Sequence, residues 1–248
     1  MVTGISVLCP TRGRPQVVRE MARSAIHTAH GPIQMVFFVD DDDHETHAAI
    51  TRWDKQPPPD VSFHIVGAPR GDVAMSNMWN WCAQMALQIK PRWPLMFVDD
   101  EALFHTEGWD AIFIRALAGY PDGSALVYPD DTIHGAVLGA YFTVAPTWVE
   151  IFGRLTPPMF TYGYADVWCF EVAKAADRAI YLPGVVIENR APKLQPPDLV
   201  HQENQARAER DRPGDLYNAT QPQREDDVCR LRNWIDQHRP DSFHWMHR

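Results

Sequence analysis

The sequence has few cysteines, no long apolar run and no excess of positive charge. The four cysteines among 248 residues, Cys9, Cys82, Cys169 and Cys229, are far apart without CxxC spacing, so neither a zinc site nor a disulfide framework is indicated and a cytosolic protein is expected. No stretch approaches the roughly 20 apolar residues of a membrane-spanning helix, and the short apolar run at 5–9 is not typical of a signal peptide. The formal charge of -9 gives no broad basic surface for non-specific binding to nucleic acids or membranes.

Glycine is scarce where common nucleotide-binding loops need it. The first predicted strand is followed by PTRGR at 10–14, which matches neither the P-loop pattern nor the GxGxxG pattern. Neither a P-loop nucleoside triphosphatase (NTPase) nor a typical dinucleotide-binding dehydrogenase is therefore indicated. The guanidinium groups of Arg12 and Arg14 can form forked hydrogen bonds with phosphate oxygens; the alternative is a helix-entry turn with solvated arginines.

Strand-like and helix-like segments alternate up to about residue 190, which predicts an α/β domain with a mostly parallel central sheet flanked by helices. The predicted strands are 5–9, 35–39, 61–66, 95–98, 125–128, 137–145 and 179–187, and the predicted helices begin near 15, 74 and 165. After residue 192 the chain becomes rich in Gln, Arg, Asp and Glu, with one amphipathic helix at about 223–238. This C-terminal extension is expected to pack on the domain as a lid or an oligomer contact.

Acidic residues follow two of the predicted strands, at 40–43 and at Asp99, Asp100 and Glu101. Crowding like charges beside a buried strand is unfavourable without a counter-charge, and hard divalent cations bind carboxylates together with substrate phosphates. In open α/β sheets, ligands bind at the carboxyl ends of the strands. The pattern favours a cation-assisted phosphate ligand; a polar turn after each strand is the alternative.

Four segments together resemble a known family: ISVLCPTRGR at 5–14, FVDD at 38–41, FVDDE at 97–101 and YGYADVW at 162–168. In this order they resemble the GT-A-fold glycosyltransferases, the family-2-like group of nucleotide-diphospho-sugar transferases. The resemblance implies a single GT-A-like (Rossmann-like) catalytic domain at 1–192, with a nucleotide-sugar-binding half at 1–101 and an acceptor or catalytic half at 102–192. A partly helical C-terminal extension at 193–248 is left unassigned by it.

The resemblance also implies roles for individual residues. The residues expected to contact the nucleotide-sugar donor are Pro10, Thr11, Arg12, Arg14, Asp41, Asn80 and Asp99. Asp41 would accept a hydrogen bond from the base, which is uracil in the usual case. Asp100 and Glu101 fall on the family's Asp-any-Asp (DXD) motif and would bind Mn²⁺ or Mg²⁺. Because glutamate replaces the last aspartate of that motif, either residue could be the main metal ligand.

Asp166 is implied to be the general base that takes the proton of the acceptor hydroxyl, in a direct displacement that inverts the anomeric carbon. The alternative is that Asp166 is only the N-cap of the helix that follows. Relatives carry a histidine after the last strand that completes the metal shell. Here Glu188, Asn189, His201 or additional water would have to replace it. The histidines near the acidic segments, His44, His47, His105 and His134, lack ligand spacing and are predicted to lie on the surface.

The resulting expectation is a metal-dependent glycosyltransferase that uses a UDP-sugar. Two other enzymatic functions stay open: a nucleotidyltransferase of related fold, and a glycosyltransferase whose acceptor is a hydroxylated nucleic-acid base. A saccharide, a glycolipid or a protein side chain are the other acceptors. A non-catalytic module that binds Ca²⁺ through residues 40–45 is a third class, although this segment lacks the glycine and the spaced oxygens of an EF-hand loop. A homo-oligomer through the C-terminal extension is a further expectation.

Overall fold

The computed structural model of the protein describes residues 2–71, 73–191 and 199–238. The strands in this part of the chain are β1 (Ile5–Thr11), β2 (Ile33–Val39), β3 (Val61–Val66), β4 (Leu95–Phe97), β5 (Ala102–Phe104), β6 (Leu126–Asp130), β7 (Phe142–Val144) and β8 (Ala179–Asn189). The helices are α1 (Pro15–Thr28), α2 (His44–Asp54), α3 (Met75–Ile89), α4 (Trp109–Ala118), α5 (Thr147–Phe152), α6 (Ala165–Ala175), α7 (Leu199–Asp211), α8 (Pro213–Ala219) and α9 (Gln221–Gln237). None of these helices is long and apolar enough to cross a bilayer.

The strands form one sheet in the order β3-β2-β1-β4-β7-β6-β8-β5. The prediction of an α/β domain with helices around a central sheet is confirmed; the sheet is mixed, with four parallel and three antiparallel strand pairs among the described residues. Parallel pairs join β1 to β2 and β4, β2 to β3, and β6 to β8, whereas β7 is antiparallel to β4 and β6, and β5 to β8. The segment between β6 and β7 contains only a short 3-10 turn (Gly135–Val137), and without a crossover helix the chain re-enters the sheet in the opposite direction.

The core consists of two apolar clusters that share the central strands. Leu8 of β1 belongs to one cluster, and its neighbours Val7 and Cys9 belong to the other. Because successive side chains of a strand alternate between the faces of a sheet, β1 is covered on both faces, which explains its continuous apolar sequence. The first cluster includes Trp79 of α3 and Trp168 of α6. Helices α1 and α4 contribute their buried side chains to the second cluster.

The last two helices are part of the first cluster. Leu231 and Ile235 of α9 are buried in it, and α9 packs against α5 and α6. The buried Asp227 of α9 accepts hydrogen bonds from Arg154 Nη2 (2.5 Å) and from Trp168 Nε1 (2.9 Å). The predicted amphipathic helix is therefore confirmed, and it packs on the domain. The predicted boundary between residues 192 and 193 lies outside the described residues.

The strand predicted at 137–145 is wrong over most of its length. Only Phe142–Val144 forms β7, and Val137 is 76% exposed. The cause is Asp131, whose carboxylate accepts hydrogen bonds from the backbone N–H groups of residues 133–135. This closes the chain into a turn directly after β6.

Candidate functional site

The carboxyl ends of β1 and β4 bring four predicted site residues together. Thr11 Oγ1 donates a hydrogen bond to Asp100 Oδ2 (2.7 Å). Arg14 Nη1 donates to Asp100 Oδ1 (3.2 Å) and to Glu101 Oε1 (2.5 Å). All four residues are buried. The structure thus makes one charge cluster of residues that lie nearly 90 positions apart in the sequence.

The acidic run after β2 is held by the loop that follows β1. Arg12 donates hydrogen bonds to both carboxylate oxygens of Asp42 (2.6 and 3.0 Å) and to Asp40 (2.9 Å). Asp43 accepts from the backbone N–H of Gly13 (2.6 Å) and caps α2 at Thr46. These partners account for three of the four aspartates as structural groups and leave no basis for the calcium-binding module.

Asp99 lies in front of the cluster and is only partly buried. Its Oδ1 accepts hydrogen bonds from the Tyr141 hydroxyl (2.8 Å) and from the backbone N–H of Glu101 (3.0 Å). Burial, together with the charges of Glu101 and Asp100, raises the pKa of Asp99 to about 7. Burial also raises the pKa of Asp100 to about 6, against the opposing effect of Arg14. One arginine therefore does not compensate three neighbouring carboxylates.

Asp99→Asn is expected to stabilise the metal-free protein at pH 8. A carboxyl whose folded pKa lies near 7, well above its unfolded value of about 4, binds its proton more tightly when folded. The free energy of unfolding of the wild-type protein therefore falls as the pH rises from about 4 through about 7. Asparagine keeps an oxygen for both hydrogen bonds and carries no charge. The melting temperature of the Asp99→Asn variant should exceed that of the wild type by a few degrees at pH 8, and the two melting temperatures should converge near pH 4. Equal melting temperatures at pH 8 would contradict the raised pKa of Asp99.

The donor set suits a divalent cation that is shared with a diphosphate. Among the described residues, no three His, Cys, Asp or Glu side chains form a ready-made metal cage. Both oxygens of Asp100 already have protein partners, Thr11 and Arg14. Glu101 Oε1 likewise accepts from Arg14, so a cation bound by Asp99, Asp100 or Glu101 would share their oxygens with these partners. Phosphate oxygens and water would complete its shell, as is usual for Mg²⁺ in nucleotide sites. The uncompensated negative charge of the cluster fits this use.

Pro10 and Asp41 lie at the same sheet edge but outside the charge cluster. Pro10 pairs with Phe38 at the end of β1, and Asp41 is exposed, with its backbone N–H bonded to the carbonyl of Ala68 (3.0 Å). A Cβ atom at Gly67 would lie 2.6 Å from the carbonyl oxygen of Val39 and 2.9 Å from Asp41 Oδ1. Glycine at position 67 therefore permits the close approach that keeps the Asp41 carboxylate at the rim of this edge.

Asn80 has a different set of partners from the predicted one. Its Oδ1 accepts from the backbone N–H groups of Leu155 (2.8 Å) and Thr156 (2.9 Å), and its Nδ2 donates to Asn77 Oδ1 and to the carbonyl of Thr156 (both 2.9 Å). These four bonds use the hydrogen-bonding capacity of the amide. In the structure, Asn80 ties α3 to the segment before α6, and its contact with a donor stays a prediction.

Asn80→Ala is expected to lower the free energy of unfolding by about 3 kcal/mol, because it leaves backbone groups at 155–156 buried without partners. Urea denaturation of the full chain measures this. Asn77→Ala removes only one of the four bonds and is the matched control, with an expected loss of about 1 kcal/mol. Equal effects of the two variants would show that the bonds to residues 155–156 contribute little.

Asp166 lies at the edge of a cavity of about 500 Å³. Helix α6 begins at Ala165, and its N-cap residue is Tyr164, so the alternative that Asp166 is the N-cap is wrong. Gly163 and Tyr164 both have positive φ angles, 63° and 60°, a conformation that is strained for tyrosine. The turn places Asp166 in the first turn of α6 with its carboxylate facing the cavity. Burial raises the pKa of Asp166, and nearby backbone N–H groups partly oppose this.

Tyr162 connects Asp166 with the acidic cluster. Burial raises the pKa of the Tyr162 hydroxyl, and the charges of Glu101, Asp99 and Asp166 raise it further. Tyr162 therefore lies within electrostatic range of all three carboxylates. Tyr162 thus links the predicted base electrostatically with two of the predicted donor-site carboxylates.

Sequence reasoning missed Asp131 and His134. His134 is exposed, as predicted, but it also lines the cavity that contains Asp166, and its Nδ1 lies 2.6 Å from Asp131 Oδ2. Asp131 follows directly on β6, just as Asp40 and Asp99 follow β2 and β4. The signal that could have identified it is the same one, an acidic residue at a strand end.

Two of the residues expected to replace the metal-binding histidine of the family form hydrogen bonds with neighbouring residues. Glu188 Oε2 lies 2.7 Å from His105 Nε2, and Asn189 Oδ1 accepts from the backbone N–H of Ala191 (3.0 Å). The side chain of His201 lies outside the described residues. Asn189 pairs with Ala102, the residue after Glu101, across β5 and β8, and a metal-ligand role for Glu188 or Asn189 stays a prediction.

Comparison with solved structures identifies the fold. No protein-family model matches the sequence, and no curated protein sequence matches it. The structure is similar to the mannosyltransferase PcManGT from Pyrobaculum calidifontis, solved in complex with GDP-Man and Mn²⁺, with a TM-score of 0.60 and 19% identity over 79% of this chain. It is also similar to S. aureus TarS 1-349 (TM-score 0.52, 11% identity, 74% of this chain) and to GalNAc-T7 solved with UDP, GalNAc and Mn²⁺ (TM-score 0.59, 12% identity, 96% of this chain).

The chain matches 59%, 59% and 54% of the lengths of these three structures, in the same order. At such low identity the similarity concerns the fold and not the substrates. The fold predicted from the motifs at 5–14, 38–41, 97–101 and 162–168 is confirmed. The protein has the GT-A fold of nucleotide-sugar-dependent glycosyltransferases.

Proposed function

We propose that the protein is a metal-dependent glycosyltransferase. It transfers a sugar from a nucleoside-diphosphate sugar, a UDP-sugar in the first instance, to an acceptor hydroxyl with inversion at the anomeric carbon. The observation that carries this proposal is the arrangement at the carboxyl edge of the sheet. Three carboxylates, Asp99, Asp100 and Glu101, are crowded together after β4, and Asp166 lines a cavity that Tyr162 also lines.

The donor would bind across the ends of β1, β2 and β4. Asp41 is exposed at the rim for a contact with the base, and Pro10 and Thr11 line the end of β1. Arg12 is held by Asp40 and Asp42, and its contact with a phosphate would require exchange with the exposed Asp42. Asp99 and Glu101 would hold Mn²⁺ or Mg²⁺, with Arg14 and Asp100 fixing the position of Glu101. A divalent cation at this site stabilises the negative charge that grows on the leaving diphosphate.

Asp166 would act on the acceptor. An attacking hydroxyl must lose its proton as the new bond to the anomeric carbon forms, and a carboxylate within hydrogen-bonding distance can accept it. Burial raises the pKa of Asp166, which makes its carboxylate a stronger base than an exposed one. The cavity of about 500 Å³ beside it offers space for an acceptor group, with Tyr162 and Tyr164 as aromatic walls that suit a sugar ring.

Two further assignments belong to the same proposal. We retain residues 1–101 as the donor-binding half and 102–192 as the acceptor half, because the acidic cluster ends at residue 101 and Asp166 follows it in the sequence.

We also place the protein in the cytosol. Cys9, Cys82 and Cys169 are free and buried, and burial raises the pKa of all three thiols, so they are inert in a reducing compartment.

Calorimetric titration tests the proposal. UDP, GDP, CDP and TDP are titrated into the full-length protein with Mn²⁺ and then with excess EDTA. Tight binding of one of them that requires Mn²⁺ is expected, and the one that binds identifies the donor nucleotide. If none binds with Mn²⁺ present, the carboxylates after β4 are not a donor site and the proposal fails.

A further inference from the structure

The turn that precedes Asp166 is strained. Gly163 and Tyr164 both have left-handed backbone angles, and Tyr164, with φ 60° and ψ -6°, is the N-cap residue of α6. The carbonyl of Tyr164 accepts a hydrogen bond from the backbone N–H of Trp168 (3.0 Å), so this residue sets the direction in which α6 begins. Such a conformation is costly for a non-glycine residue and persists only where neighbouring structure holds it. The side chains packed on Tyr164 are therefore part of what presents Asp166.

Helix α8 supplies that packing. The ring centroid of Tyr217 lies 4.9 Å from the ring centroid of Tyr164, at an interplanar angle of 34°. A Cβ atom at Gly214, three residues before Tyr217, would lie 2.9 Å from the Tyr164 hydroxyl oxygen, so glycine permits the hydroxyl to approach the backbone of the helix. The last residue of α7, Asp211, also accepts a hydrogen bond from Thr161 Oγ1 (2.7 Å). Helices α7 and α8 thus hold the segment before α6 at two points.

Tyr217 is itself fixed by two other helices. It is buried, and its hydroxyl donates a hydrogen bond to Glu171 of α6. The guanidinium carbon of Arg224, in α9, lies 3.8 Å from the centroid of the Tyr217 ring, and Arg224 Nη1 donates a hydrogen bond to the Tyr217 carbonyl (3.1 Å). Arg224 Nε also lies 3.3 Å from Glu171 Oε2. Because the ring of Tyr217 is held in this way, its stacking favours one position of the Tyr164 ring.

Backbone strain is concentrated around the cavity that contains Asp166. Five non-glycine residues in the described part of the chain have positive φ angles, and two of them, Tyr164 and Arg212, line this cavity. Arg212, with φ 44°, joins α7 to α8. Strained residues cluster at functional sites, where the surrounding structure keeps them in place. The strain therefore lies on both sides of the space in which the acceptor would bind.

We propose that Tyr217 is a positioning residue for the transfer reaction: its ring, stacked on Tyr164, holds the left-handed turn that presents Asp166 to the acceptor cavity. The inference rests on the proposed function, because it requires Asp166 to act as the base. A base must lie within hydrogen-bonding reach of the hydroxyl that it deprotonates, and a displacement of about 1 Å can lower a rate about 100-fold. Without the stacked ring, Tyr164 relaxes to an ordinary φ angle and Asp166 moves with it.

The first measurement is the amide-to-Hα NOE within residue 164, recorded by NMR on the full-length protein without metal or donor. This NOE is strong where φ is positive and weak where φ is negative. It should be strong in the wild type and in Tyr217→Phe, which keeps the ring and loses only the hydroxyl, and weak in Tyr217→Ala. Tyr217→Leu keeps a buried apolar side chain without a flat ring and should behave like Tyr217→Ala. A strong NOE in a folded Tyr217→Ala or Tyr217→Leu variant would overturn the inference.

The kinetic measurement is UDP release from UDP-glucose and UDP-N-acetylglucosamine with Mn²⁺. Tyr217→Ala should lower kcat by about 10-fold or more and leave the KM for the donor within about twofold of the wild-type value, whereas Tyr217→Phe should retain the wild-type kcat. Tyr164→Gly removes the strain, because glycine adopts a positive φ angle readily. In the Tyr164→Gly background, Tyr217→Ala should therefore lower kcat by less than about twofold. Equal losses in the two backgrounds would contradict the positioning role.

Phe152→Ala is the matched control. Phe152 belongs to the same apolar cluster as Tyr217, the two residues are 7% and 9% exposed, and the Phe152 ring centroid lies 4.7 Å from that of Trp148. The substitution removes a buried aromatic contact of the same kind from a part of the cluster that does not line the cavity among the described residues. The NOE within residue 164 and kcat should both stay at their wild-type values. The same loss of kcat as in Tyr217→Ala would show that a loosened core, and not the turn, is responsible.

Asp166→Asn separates the inference from the proposed function. Full turnover in Asp166→Asn would remove the role of Asp166 as base and so the proposed mechanism. Loss of turnover in Asp166→Asn together with wild-type kcat in Tyr217→Ala would leave the proposed function standing and remove the role of Tyr217.

Discussion

Asp166→Asn is expected to lower kcat for sugar transfer by about 10²- to 10⁴-fold, the range that a general base contributes. Asparagine has nearly the same shape as aspartate but cannot take the proton of the acceptor hydroxyl. The KM for the nucleotide-sugar donor should stay within about twofold of the wild-type value, because the proposal gives Asp166 no contact with the donor. Steady-state kinetics of nucleotide release measures both quantities.

Asp215→Asn is the matched control for this prediction. Asp215 lines the same cavity as Asp166, but it is ion-paired with Arg212 at 2.7 Å and has no proposed part in proton transfer. Its kcat should stay near that of the wild type. If Asp166→Asn kept full activity, or if both variants lost activity to the same extent, the carboxylate of Asp166 would not be the base.

Glu101→Gln is expected to weaken Mn²⁺-dependent binding of the donor nucleotide by about 10- to 100-fold, a typical cost even for partners of a metal ligand. The substitution removes one of the two carboxylates that are proposed to hold the ion and leaves Asp99 in place. Binding measured in excess EDTA should be the same for the variant and the wild type, because the lost contact passes through the metal. Calorimetric titration with and without Mn²⁺ separates these two effects.

The control for Glu101→Gln is Glu45→Gln. Glu45 is an exposed carboxylate in the first turn of α2, at the same edge of the sheet, so its loss changes the local charge equally. It should leave Mn²⁺-dependent binding within about twofold. Wild-type affinity in Glu101→Gln would instead leave the metal to Asp99 and Asp100, of which Asp100 is the alternative that the sequence left open.

The sequence predicted those elements whose burial is visible in their own residues. Strands β1, β2 and β4 are covered on both faces and read as apolar runs, and α9 shows its buried Leu231 and Ile235 at helical spacing. Helix α2 was missed because its sequence is polar, with only Thr46, Ala49 and Ile50 buried. Strand β5 has three residues and no local pattern that separates it from a loop.

The candidate site was likewise predictable only in those residues that stand out in the local sequence. The acids at strand ends, Asp99, Asp100 and Glu101, stand out because carboxylates beside a buried strand are unusual. What they contact is a long-range property: the bond between Arg14 and Glu101 joins residues 87 positions apart. Asp131 carries the same strand-end signal, but its pairing with His134 could not be foreseen, because it depends on the geometry of the turn at 131–135.

The burial of α9 has a consequence for how the acceptor preference of this protein could change. The wall of the cavity opposite His134 is built from α7 and α8, through Ala208 and Arg212 to Asp215, whereas α9 is anchored in the core by Asp227 and Leu231. Substitutions at 208–215 can therefore reshape the cavity while α9 holds the segment on the domain. Under the proposed function, the C-terminal region would divide into a cavity wall at 208–215 and an anchor in α9, so that the acceptor site could change without rebuilding the donor site.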